Sequence, residues 1–236
     1  MYIYQVHGVY PQEDFCRQLK ANLNAVGVHR PIALYDYSPY VDKYKKQNIV
    51  TTLPIPYFLH QKKLDVAFGQ MDTADIINDS RKIFTVWQHP LIHTYALYDW
   101  MKLQTELYPP NERADYSCIG DYDVQEFEKY IDNFISTKGR LVFSTGKYKG
   151  KWLYEGYTRI SKLHPNMYHI GCVEQIDLFI DFIENTFDFE IDTSDPKWDN
   201  DKYLSKASPH IFSEYRKDDL THLLKDDINL WETHYQ

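Results

Sequence analysis

The chain has 236 residues, 43% of them hydrophobic and 25% charged, which excludes long-range disorder and suits one globular domain with a sizeable core. A formal net charge of -8 argues against general nucleic-acid binding, which needs Lys and Arg to neutralise phosphates. No apolar run approaches the ~20 residues of a membrane span, and Met1-Tyr2-Ile3-Tyr4-Gln5-Val6 carries neither a basic segment nor a signal-type apolar core, so the expectation is a single cytoplasmic domain over residues 1–236 with no membrane partner.

Residues 2–7 predict a buried strand. Pro11-Gln12-Glu13-Asp14 then reads as a helix start, because proline is tolerated in the first turn and acidic residues there favour the helix dipole. Phe15, Leu19, Leu23 and Val26 follow at helical spacing, with Gly27 as the stop. Ile32-Ala33-Leu34-Tyr35 predicts a second strand, residues 36–46 a polar Tyr-rich loop or short helix, and Ile49-Val50 a further strand. Leu64 to Gly69 predicts a strand ending at a glycine, and Lys82 to Trp87 a strand of β-branched and aromatic residues. Pro90 opens a helix with Leu91, Thr94, Tyr95, Tyr98 and Met101 on one face, and Pro109-Pro110 closes that segment. Amphipathic helices are expected over 124–135 and 152–163. Tyr168 to Val173 is a strand running into a helix over 174–187, residues 192–206 are loop-like, and the polar remainder is helical over 213–224. Strands alternating with helices favour a mostly parallel sheet with helices on both faces. A ligand then belongs at the C-terminal ends of the strands.

Cys16, Cys118 and Cys172 are odd in number and widely spaced, which suits reduced thiols, and no CxxC spacing suggests structural zinc. The 21 tyrosines offer flat faces and hydroxyls that suit sugars, against a reading of plain composition bias.

Three segments carry a family resemblance. His169-Ile170-Gly171-Cys172-Val173-Glu174 running into Gln175 to Glu184 looks like a strand–Gly–x–x–Glu–helix segment. Lys82 to Pro90, continuing to Tyr98, is similar to a strand and helix that grip a 3′-phosphate. Ile3 to Phe15 sits where a strand, a short Lys- and Gly-containing loop and a helix are expected. Together they resemble the carbohydrate sulfotransferases of the heparan sulfate 2-O- and 6-O-type, which use 3′-phosphoadenosine 5′-phosphosulfate (PAPS). The resemblance implies a P-loop-like three-layer α/β fold, PAPS as cofactor, no metal, and a carbohydrate or other small hydroxyl compound as acceptor. It places Gly8, Val9, Tyr10, Gln88, Tyr98 and Lys147 at the cofactor, and His7, His89 and His93 where catalytic groups are needed.

The physical reason for such motifs is charge. A strand–loop–helix turn offers backbone N–H groups to a phosphosulfate, a lysine stabilises the developing negative charge, an arginine and a serine hold the 3′-phosphate, and a His or Glu takes the acceptor proton. Here Val9 stands at the loop lysine, Gln88 and His93 at the two arginines, and Ala96 at the serine. Gly69-Gln70 stands where a Gly-His pair supplies the base. Each lost charge-assisted contact is worth roughly 1.5–3 kcal/mol. Lys147, Lys149 and Lys151 form the concentrated basic stretch, which either faces an anionic sugar or the 3′-phosphate, as the resemblance implies, or is a solvated loop. His89 and His93, four apart, either share a functional side or serve as helix N-cap and half-buried packing residue. Three readings follow: a divergent sulfotransferase, a non-catalytic binding or scaffolding module on the same fold, and a transferase with another donor.

Overall fold

The computed structural model describes residues 2–5, 12–28, 50–51, 65–69, 82–107, 126–139, 156–163, 167–194, 210 and 213–235. Six short strands form one sheet: β1 (Tyr2–Gln5), β2 (Ala25–Val28), β3 (Val50–Thr51), β4 (Val66–Gly69), β5 (Lys82–Trp87) and β6 (Met167–Cys172). Their order is β3-β2-β4-β1-β5-β6, and every pairing is parallel. Parallel neighbours need crossover connections; among the described residues helices lie between β1 and β2 and between β5 and β6. The helices are α1 (Gln12–Asn22), α2 (Pro90–Leu107), α3 (Phe127–Ser136), α4 (Tyr157–Leu163), α5 (Ile176–Phe187), α6 (Lys217–Leu223) and α7 (Lys225–Glu232), with a 3₁₀ turn at Val173–Gln175.

Alternation along the strands sends apolar side chains to both faces of the sheet. Tyr4, Val66, Phe68, Phe84 and Val86 meet Phe15 and Leu19 of α1 and Ile176, Phe179, Ile180 and Ile183 of α5 in one core. Trp87 and Cys172 face the other way, against Tyr157 of α4 and Trp231 of α7. The three-layer α/β arrangement expected from the sequence is therefore present: a parallel sheet between two layers of helices. Gly171 lets the first core close. A Cβ there would lie 2.3 Å from the Phe179 ring, so only glycine admits that ring against β6.

Between Ile83 and Phe84 the β5–β6 register slips, and Tyr168 becomes the extra residue of a bulge. Its half-exposed ring sits 4.2 Å beneath the Lys82 ammonium.

Two sequence expectations need correction. Helix α1 ends at Asn22 rather than at Gly27. Val26 and Gly27 belong instead to β2, paired with Ala67 and Phe68 of β4. The C-terminal helix also has a successor, α7, which the sequence reading did not separate from the polar tail. The strand expected at 32–35 lies outside the described residues. No described helix is long and apolar enough to cross a membrane.

Candidate functional site at the strand ends

The chain leaves β1 toward β2 on one side and leaves β5 toward β6 on the other. The switch point therefore falls between the C-terminal ends of β1 and β5, where open parallel sheets bind ligands. Beside it, at the ends of β5 and β6, the turn after β5, Gln88-His89-Pro90, meets the turn after β6, Val173-Glu174-Gln175.

Glu174 reaches back across the sheet end. Its Oε1 accepts the His89 backbone N–H at 2.7 Å. Burial pushes the Glu174 carboxyl above its ordinary range, while the His89 N–H, its own N–H and the nearby Trp231 indole hold it down. The second oxygen, Oε2, and Trp231 Nε1 are both buried and complete no hydrogen bond of good geometry with any described residue.

His89 is the cap of α2. Its Nδ1 accepts the Leu91 N–H at 3.3 Å, which takes one of the donors a helix start leaves over. Its ring meets Trp231 edge-on, centroids 4.8 Å apart, and burial lowers its pKa against a smaller upward pull from Glu232. The Gln88 backbone is closed from the other side. Tyr157 Oη accepts the Gln88 N–H at 3.0 Å and donates to the Gln88 carbonyl at 2.7 Å. The Tyr157 ring lies flat on Trp87, 4.4 Å away and 5° from parallel. The Gln88 side chain is buried, with Nε2 unpaired among the described residues.

One turn along α2, the half-buried His93 ring lies 6.0 Å from Tyr157. Burial lowers its pKa to about 4, with Asp227 pulling upward less strongly. His93 is therefore neutral at pH 7 and supplies no cation in place of an arginine. Asp227 comes from α7 and caps α4, its Oδ1 accepting the Thr158 N–H at 2.8 Å. Gly156 leaves it room, since a Cβ there would lie 2.4 Å from Asp227 Oδ2. Gly156→Ala is expected to displace that carboxylate and cost about 1–2 kcal/mol through the lost cap, read as a lower urea midpoint with an unchanged denaturant slope. An unchanged midpoint would sink the capping role.

Tyr98 lies in the packing between α2 and α3, its ring 5.2 Å from Phe127 and 5.4 Å from Tyr130. Cys172 is no nucleophile at neutral pH: burial and, less strongly, Glu174 push its thiol up to about 12. His7, Gly8, Val9, Tyr10 and Lys147 lie outside the described residues. Among the described residues no group of three His, Cys, Asp or Glu is placed to hold a metal ion.

The structure thus brings Gln88, His89 and His93 to the strand ends and adds Glu174, Tyr157, Asp227 and Trp231. Only Glu174 had a sequence signal, the Gly–x–x–Glu spacing before α5. Comparison with protein-family models, curated proteins and solved structures found no match.

Proposed function

We propose that this chain is a non-catalytic binding module on a sulfotransferase-like framework, and that it does not transfer sulfate from PAPS. One observation carries this reading. The turn that would grip a 3′-phosphate already holds a carboxylate of the chain itself. Helix N-termini bind anions through their free N–H groups. Here the His89 N–H is bonded to Glu174, the Leu91 N–H to His89 Nδ1 and the Gln88 N–H to Tyr157, and Pro90 has none. A phosphate arriving there meets an acidic side chain and finds the backbone N–H groups of Gln88, His89 and Leu91 already taken.

The electrostatics support the same reading. Neither histidine at the turn carries a charge at pH 7, since burial lowers both pKa values. A histidine with a pKa near 4 is also a poor proton acceptor at neutral pH, where a general base works best with a pKa close to the working pH. Apart from the Glu174 carboxyl, what the turn retains is neutral, aromatic and hydrogen-bonding, which suits an uncharged hydroxyl-bearing ligand such as a carbohydrate better than a nucleotide.

Calorimetric titration with 3′-phosphoadenosine 5′-phosphate, the product nucleotide of sulfate transfer, tests the proposal. The expected result is no saturable heat at millimolar nucleotide. Binding in the micromolar range, worth about 8 kcal/mol, would overturn it and restore the divergent sulfotransferase. Lys147 and the loop residues His7, Gly8, Val9 and Tyr10 would then be the first positions to substitute.

A further inference from the structure

The C-terminal helices are attached in two different ways. Helix α6 is fixed to α3: Arg216 Nη1 meets Asp132 Oδ1 at 2.7 Å, Tyr215 Oη donates to Asp132 Oδ2 at 3.1 Å, and Leu220 and Leu224 are buried. The backbone leaves helical geometry at Leu224, with ψ near 6°, and α7 starts at the next residue. From there α7 crosses to α4 and α2 over the ends of β5 and β6.

Its hold on those ends rests on few residues, with Leu230 half-buried against the cluster of Trp87, Tyr157, Cys172 and Trp231. Asp227 and Trp231 are its only buried residues. Asp227 makes the polar cap on Thr158. Trp231 lies on His89, and His234 just beyond the helix meets Trp87 edge-on at 5.5 Å. Under this cover Trp87 Nε1 and Thr158 Oγ1 are buried without a partner among the described residues, and Glu174 Oε2 and the neighbouring Trp231 Nε1 are buried without completing a well-aligned bond. Every such unmade bond favours a state in which water or a ligand completes it. A segment with few buried apolar contacts is also the first to open.

The geometry points to α7 as a hinged cover that turns about Leu224 while α6 stays on α3. Opening it presents Glu174 Oε2 as an acceptor, beside the His89 and Trp87 rings, to a neutral ligand bearing hydroxyl or N–H donors. This goes beyond the binding reading above, and its test does not depend on nucleotide affinity.

Amide hydrogen exchange of the whole protein, followed residue by residue at increasing sub-denaturing urea, decides it. The His89, Thr158 and Trp231 amides are expected to exchange together, at least about 10-fold faster than Phe84 and Val86 of the core, and with little dependence on urea. Leu220 of α6 should stay with the core strands. If His89, Thr158 and Trp231 follow Phe84 and Val86 in rate and urea slope, no cover opens and the inference fails. If Leu220 exchanges with α7, the whole C-terminal segment unravels and the hinge at Leu224 is wrong.

Discussion

Phe179→Ala is expected to lower stability by about 3–5 kcal/mol, the cost of removing a buried aromatic ring from a core that refills only partly. Phe179 is fully buried. Its ring lies 4.9 Å from Phe15 and within 6.4 Å of Tyr4, Phe84, His169 and Phe182. It therefore joins α1, α5, β1, β5 and β6 at one point. Gly171 gives no help in closing the hole, because no side chain stands there to move in. Urea unfolding followed by circular dichroism checks the prediction, with the fall in midpoint read at unchanged slope. Since small domains commonly have only 5–15 kcal/mol in total, Phe179→Leu is the second variant. It keeps most of the volume and should cost under about 1.5 kcal/mol. If alanine costs no more than leucine, the ring is not the centre of that core.

The second large effect is a loss of stability on mild acidification, assigned to His93. Its pKa falls from 6.5 to about 4 on folding. Unfolding then takes up a proton between those values. The contribution is complete above pH 6.5 and is lost as pH drops toward 4. At about 1.4 kcal/mol per pH unit the ceiling is about 3 kcal/mol, and water at the half-buried ring reduces it to about 1–2 kcal/mol. Glu174 acts with the opposite sign. Its raised pKa stabilises the folded chain at low pH, and that contribution is lost as pH rises through the folded value. Comparing wild type with His93→Gln isolates the histidine. The gap between their urea midpoints should narrow steadily from pH 7 to pH 4. Parallel curves would assign the acid sensitivity to other groups.

Local chemistry made the sheet readable and left the site mostly hidden. Lys82 to Trp87 announced β5 because a run of β-branched and aromatic residues has few other ways to be buried. The end of α1 misled for an equally local reason. Val26 continues the spacing of Leu19 and Leu23, and only the pairing of β2 with β4 places it in a strand. Helix α7 was invisible because Asp227 and Trp231 are its only buried residues, which leaves its sequence looking like a solvated tail. Gln88, His89 and His93 were found through their place after β5. The role of Glu174 was not, because its partner is a backbone N–H 85 residues earlier, and a backbone group leaves no mark in a sequence.

The position of β1 bears on how the chain comes to be folded at all. Tyr2 is paired on one side with Val66 and on the other with Lys82. Ile3 and Tyr4 therefore leave the ribosome long before either neighbour exists. The β5 edge is completed later still, once Met167 to Cys172 has been made. No early hairpin can protect this strand, since all its ladder contacts are distant in sequence. Such a topology folds slowly and keeps a buried strand open to wrong partners during synthesis.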